Sequence, residues 1–276
     1  MKKLILLLAL FLTQPAFAAK KIVLTKDNTI ALSTYMDETS TAQLAVQALE
    51  MDSRLPSNEP IYLVIDSGGG SIDWGIQMIE NLRTLNRPVH TITLFSASMA
   101  FQTVQGLGKR YITRQGTLMS HKARGSFSGE FPGQLDNRYA YYLKRVQTLD
   151  VIASKRSGRS VKDYQNLIEN EMWCDGVDCI KARFADELVV TACDSSLAGT
   201  QDKLLFKDMF MGHIIEVFVV MSKCPTNTGI LDFSIRVDGN SLTNRYYDTN
   251  LTPEVSHRIK QLVEKATNKR NNIIKY

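Results

Sequence analysis

Ile61-Tyr62-Leu63-Val64-Ile65-Asp66-Ser67-Gly68-Gly69-Gly70-Ser71-Ile72-Asp73-Trp74-Gly75 is the stretch that decides how this chain folds. Its first five residues are apolar without alternation, the pattern of a strand buried on both faces. Ile72, Ile76, Ile79 and Leu82 then recur at helical spacing, and Asn86-Arg87-Pro88 ends that helix. Three glycines between a strand and a helix mean that the backbone there approaches something closely. The candidates are a nucleotide phosphate, a transition-state oxyanion, or a tight turn alone.

The residues argue against phosphate. A Walker-type loop needs G-x-x-x-x-G-K-[ST], and no lysine is in place. The dinucleotide fingerprint G-x-G-x-x-G fails because Asp73 stands where its third glycine belongs. Gly106-Leu107-Gly108-Lys109 reads as a helix stop and turn.

Outward from the glycines, the same alternation continues. Ile30-Ala31-Leu32 is a short apolar run, and Thr41 to Met51 carries Leu44, Ala45, Ala48 and Leu49 at helical spacing. Val89 to Leu94 reads as a strand and Ser98 to Gln105 as a short helix, with two short strands at Tyr111-Ile112 and Thr117-Leu118-Met119. Repeated β-α units imply an α/β fold with a mainly parallel sheet, whose sites form beyond the carboxyl ends of strands. After the glycine-rich loop Gly125 to Gly129, a long helix is predicted from about Leu135 to Ser154. Ser160 with Asp163 then resembles the cap of another helix. Beyond Cys193 the pattern changes. IIEVFVVM and ILDFSIRV, separated by the turn-rich Cys224 to Gly229, predict a hairpin with a longer loop. An amphipathic helix is expected from Leu251 to about Ala266. Lys207, Asp208, His213 and Glu216 interrupt Leu204 to Met221, so that stretch does not read as a membrane span.

The N-terminus reads as an export signal. Met1-Lys2-Lys3 is basic, Leu4 to Leu12 apolar, and Ala16-Phe17-Ala18 a small-x-small cleavage site. The expected divisions are therefore a signal peptide over 1–18, a main domain over 19–192 and a C-terminal extension over 193–276. Removing the 18 signal residues leaves 258 of the 276, and removing Lys2 and Lys3 takes the formal charge from +5 to +3. That mild excess, with no dense basic block, does not suggest nucleic acid. A periplasmic or secreted location is expected, with no membrane span after cleavage.

Four cysteines, Cys174, Cys179, Cys193 and Cys224, suit disulfides in an exported protein. Of the three possible pairings, Cys174–Cys179 with Cys193–Cys224 is preferred. Zinc is disfavoured, since no C-x-x-C pair occurs and no histidine lies close to the first three.

The chemistry centres on Phe95-Ser96-Ala97-Ser98-Met99-Ala100, where a strand ends and a helix starts. Ser98 either caps the helix or acts as a nucleophile, and a nucleophile needs a base and oxyanion donors. Among His90, His121, His213 and His257, His121 is best placed, directly after the strand TLMS.

IYLVIDSGGGSIDWGIQMIENL, SASMAFQTVQGLGKRYITRQGTLMSHKARGSFSGE and the long helix after them resemble the Clp protease proteolytic-subunit family. The similarity runs from about Ile30 to Val190. It implies the ββα superhelix shared with crotonases, here with a small C-terminal α+β extension, and a Ser-His-Asp peptidase. By that resemblance Ser98 matches the nucleophile and His121 the general base, while Gly69 and Met99 match the oxyanion-hole amides. Glu171 stands where the family has its aspartate, and Asp175 is the reserve. Gly68 replaces the family's proline. About ten mature residues precede Ile30, too few for the loops that meet an ATP-driven unfoldase, so no Clp ATPase partner is expected.

The expectation is an exported serine endopeptidase acting on peptides or unfolded segments without ATP, with no metal or cofactor, and assembled as a homo-oligomeric ring. One alternative is a serine–lysine peptidase using Lys122 or Lys109. Another is a catalytically weak or inactive binding or scaffold protein on the same fold. A coenzyme-A enzyme of the crotonase type is removed from its substrate by the signal peptide.

Overall fold

The computed structural model describes residues 19–54, 58–198, 201–227, 230–242 and 252–267. The predicted export signal lies outside them. Residues of the main sheet are β1 (Lys20–Leu24), β2 (Thr29–Leu32), β3 (Ile61–Ser67), β4 (Val89–Ala97), β5 (Arg110–Ser120), β6 (Met172–Asp175) and β7 (Glu187–Cys193). The order is β1-β7-β5-β4-β3-β2, parallel throughout, with β6 added antiparallel to β5. The fold is thus the α/β class that the alternating pattern implied. β7 borders β5 at Tyr111–Thr113, and β6 takes over at Thr117–Ser120.

Helices fill the crossovers that parallel strands require. They are α1 (Glu38–Arg54), α2 (Ile72–Arg83), α3 (Met99–Gly106), α4 (Gln134–Ser157), α5 (Val161–Leu167), α6 (Gly176–Lys181) and α7 (Ser195–Ala198). The main core lies between the sheet and these helices. Ile61, Leu63 and Ile65 of β3 meet Met78, Ile79 and Leu82 of α2 and Phe101 and Val104 of α3 there. A smaller cluster of Ile22, Leu24, Val64, Ile92, Tyr111 and Val189 covers the opposite face under Leu197.

Two sequence features resolve differently. The predicted pair of short strands at 111–112 and 117–119 is one strand, β5, paired with β4 across a register shift between Thr93 and Phe95. The chain after residue 200 forms more than a hairpin: β8 (Gln201–Phe210), β9 (His213–Ser222), β10 (Ile230–Val237) and β11 (Asn240–Leu242) make an antiparallel sheet. Ile215, Val217, Ile235 and Val237 are buried on one side of it. Val255, Ile259 and Leu262 of α8 (Pro253–Thr267) are buried too, at the i, i+4, i+7 spacing of one helix face.

The cysteines pair as preferred. Cys174–Cys179 closes the β6–α6 turn, and Cys193–Cys224 ties the end of β7 to the loop after β9. All four thiols are consumed, which removes them from zinc chemistry. No helix among the described residues is long and apolar enough to cross a membrane.

Candidate active site

The glycines of the opening stretch approach two backbones. Gly70 bridges Met36, whose N–H donates to Gly69 O at 2.8 Å and whose carbonyl accepts from Ser71 N at 2.9 Å. Gly69, at φ 95°, lies against the start of α3. A Cβ there would sit 2.6 Å from Ala97 O, 2.7 Å from Met99 N and 2.9 Å from Ser98 Cβ. The turn therefore abuts the residue suspected as a nucleophile, and no side chain fits between them.

Ser98 occupies φ 56°, ψ −121°, a backbone state that non-glycine residues rarely adopt and that collects at functional sites. Its side chain makes no capping hydrogen bond to α3, so the simple capping role does not apply. Instead its Oγ lies 2.8 Å from His121 Nε2. The strand ends are pinned together, with Ser98 N donating to Met119 O at 3.0 Å. Both side chains are partly open to solvent. With the hydroxyl donating to Nε2, the imidazole proton resides on Nδ1.

That Nδ1 is buried and has no hydrogen-bond partner. Ser120 pairs with Met172 in the antiparallel β5–β6 register, so the next rung sets His121 opposite Glu171. The Glu171 carboxylate is turned outward, however. It accepts from Arg124 Nη2 at 3.2 Å and from Trp173 Nε1 at 3.1 Å, and it does not touch His121. Asp175 pairs with Thr117, four rungs further along and about 13 Å away at strand spacing. Register leaves Glu171 as the acid in range.

The two suspected oxyanion donors lie side by side. Met99 N–H opens α3 and has no acceptor within the helix. Gly69 N–H donates to Ser67 Oγ over 3.2 Å, and Ser67 Oγ in turn donates to Thr34 O at 2.6 Å. Neither suspected lysine base reaches Ser98: Lys122 is paired with Glu169, and Lys109 Nζ lies 2.8 Å from Glu187.

Some neighbours of the site were invisible in the sequence. Tyr164 is fully buried, and its hydroxyl lies 2.7 Å from Ser120 Oγ and accepts from Gln102 Nε2 at 3.2 Å. Burial pushes that hydroxyl up to about 12, so it stays neutral. These partners stand 44 and 62 residues apart, and no local pattern announces them.

A mainly parallel sheet with a serine–histidine pair at a strained strand-to-helix turn defines a hydrolase-type site. The family model for Clp protease matches residues 17–192, more than half of the chain. This chain belongs to the Clp protease family, whose members are peptidases. It is 28% identical over 171 residues to the ATP-dependent Clp protease proteolytic subunit of Streptococcus mutans, covering 60% of this chain and 86% of that one. Proteins of the same description from Streptococcus pneumoniae and Streptococcus gordonii are each 26% identical over the same coverage.

Proposed function

We propose that this chain is an exported serine endopeptidase that hydrolyses peptide bonds without ATP, in the periplasm or outside the cell. The observation that carries the reading is the 2.8 Å contact between Ser98 Oγ and His121 Nε2 at the strained turn. Ser98 Oγ attacks the carbonyl carbon of the substrate while His121 Nε2 takes its proton and returns it to the leaving amine. A water that His121 deprotonates then attacks the acyl-enzyme ester, releasing the acid and giving the proton back to Ser98 Oγ. The Met99 and Gly69 amides receive the oxyanion, each donor worth about 3 kcal/mol. Gly69 exchanges its long bond to Ser67 Oγ for that role.

Glu171 completes the site by rotation. Its present ion pair with Arg124 is exposed, a kind worth about 0–1 kcal/mol. A buried imidazole N–H without an acceptor costs about 1–3 kcal/mol. Exchange of the first for relief of the second favours Glu171 on His121 Nδ1 once substrate makes the imidazole cationic. Export rests on the basic, apolar and small-residue segments of 1–18, and independence from ATP follows from that compartment. A homo-oligomeric ring, as the family resemblance implies, accounts for the exposed Tyr139, Tyr141 and Leu143 on α4.

One observation favours a second reading, a weak or inactive binding protein on this fold: the histidine lacks its acid in the present arrangement. Labelling the purified protein with a fluorophosphonate probe separates the two. The peptidase reading expects labelling that Ser98→Ala abolishes and His121→Ala lowers at least about 100-fold. An unlabelled wild type would sink it.

A further inference from the structure

Three polar side chains meet in the core behind the serine–histidine pair. Gln102, Ser120 and Tyr164 are 8%, 1% and 0% exposed, and they come from α3, β5 and α5. An apolar trio of similar volume would fill that space without the cost of burying polar groups. The hydrogen bonds add direction instead. Tyr164 Oη sits 2.7 Å from Ser120 Oγ and 3.2 Å from Gln102 Nε2.

Each partner lies one short step from the reacting atoms. Gln102 N donates to Ser98 O at 3.2 Å, closing the first turn of the helix that carries the nucleophile. Ser120 is covalently joined to His121. The helix that holds Tyr164 leads directly into the acid's segment, where Glu171 N donates to Ile168 O at 3.4 Å. The Tyr164 ring is itself fixed in place, edge-on to Phe184 at 6.4 Å, and Phe184 also meets Phe101 of α3 at 5.4 Å.

We propose that Tyr164 is a positioning residue, whose buried hydroxyl holds the nucleophile's helix and the base's strand at the separation that keeps Ser98 on His121. The proposal rests on the serine-peptidase reading. Its predicted effect falls on the chemical step, because Tyr164 is fully buried and out of reach of a bound probe. A misplacement of well under 1 Å between nucleophile and base is enough to slow the reaction about tenfold.

The test uses the full mature chain and the fluorophosphonate probe, with the labelling kinetics separated into probe affinity and the maximal rate of Ser98 modification. Tyr164→Phe keeps the ring and removes the hydroxyl. Ser120→Ala removes the partner hydroxyl and carries the test if the first variant does not fold. Ile22→Val, a core truncation on β1 in the smaller cluster on the opposite face of the sheet, serves as a control for general loosening. The expected result is an approximately tenfold lower maximal rate in Tyr164→Phe and in Ser120→Ala, with affinity within about twofold. The double variant should be no slower than either single one, and the control should keep the wild-type rate. A wild-type maximal rate in both Tyr164→Phe and Ser120→Ala overturns the proposal while leaving the peptidase reading intact. Equal loss in the control, tracking melting temperature, overturns it as well by making the trio ordinary core. A wild type that takes no label removes the peptidase reading, and the proposal with it.

Discussion

Gly69 leaves no room for even one carbon. A methyl group there would press on Ala97 O and Met99 N at under 3 Å, and φ 95° is strained for any L side chain. Gly69→Ala is therefore expected to cost about 2 kcal/mol of stability or more and to lower probe labelling by at least about 100-fold, measured by denaturant melts beside labelling rates. Nearby, Arg124 holds the carboxylate that the proposed triad would place on His121. Arg124→Ala should raise the labelling rate, and Glu171→Gln should lower it about tenfold or more, since an amide cannot offset the imidazolium charge. If Arg124→Ala slows labelling, the outward glutamate is not a resting position.

Between elements, the best-buried ion pair among the described residues joins the start of β5 to the turn before β7. Arg110 is 5% exposed at its side chain, bonds Asp186 through two guanidinium nitrogens, and also reaches Gln105 Oε1 and Arg183 O. Burial pushes the Asp186 carboxyl up, but the Arg110 side chain and N–H outweigh it and hold it below its usual 3.8. A carboxylate held low stabilises the fold above its unfolded value and loses that contribution as pH falls through its folded value. Asp186→Asn should cost about 3 kcal/mol at pH 7, with the gap from wild type closing below about pH 4 in denaturant titrations.

The elements themselves were unequally legible. An unbroken apolar run marks β3, the β-branched residues of Val89 to Leu94 mark β4, and the 3.6-residue spacing marks α2, because all three patterns are local. Lys20–Leu24 escaped notice since only Ile22 and Leu24 face inward, and its partner β7 lies 169 residues away at Lys20↔Val189. The glycine turn, Ser98 and His121 could be found because tight turns constrain residue type. The outward carboxylate of Glu171 could not, because rotamers depend on neighbours such as Arg124 and Trp173 that sequence order does not reveal.

At the scale of the whole molecule, covalent ties divide the labour. Cys174–Cys179 closes a loop of sequence separation 5, and Cys193–Cys224 one of separation 31. Loop-closure entropy makes the first worth about 2 kcal/mol and the second nearly 4 kcal/mol. Cys193→Ser with Cys224→Ser should thus lower the melting temperature more than the paired serine substitutions at 174 and 179. Calorimetry of the two double variants decides it, and the reverse order would mean that the short bridge holds β6 rigidly onto β5. Assembly is also testable. Light scattering should give a mass well above the 31.0 kDa of one chain, and Tyr139→Glu with Tyr141→Glu should reduce it.

The longer bridge also changes what a cut does. Met209 and Met211 stand 74% and 64% exposed at the tip of the β8–β9 hairpin, where a foreign protease finds chain to grip. That tip falls between Cys193 and Cys224, so hydrolysis there would open the chain without parting it. The nicked molecule would migrate as one species until a reductant is added and as two fragments afterwards. The molecule carries its own suture.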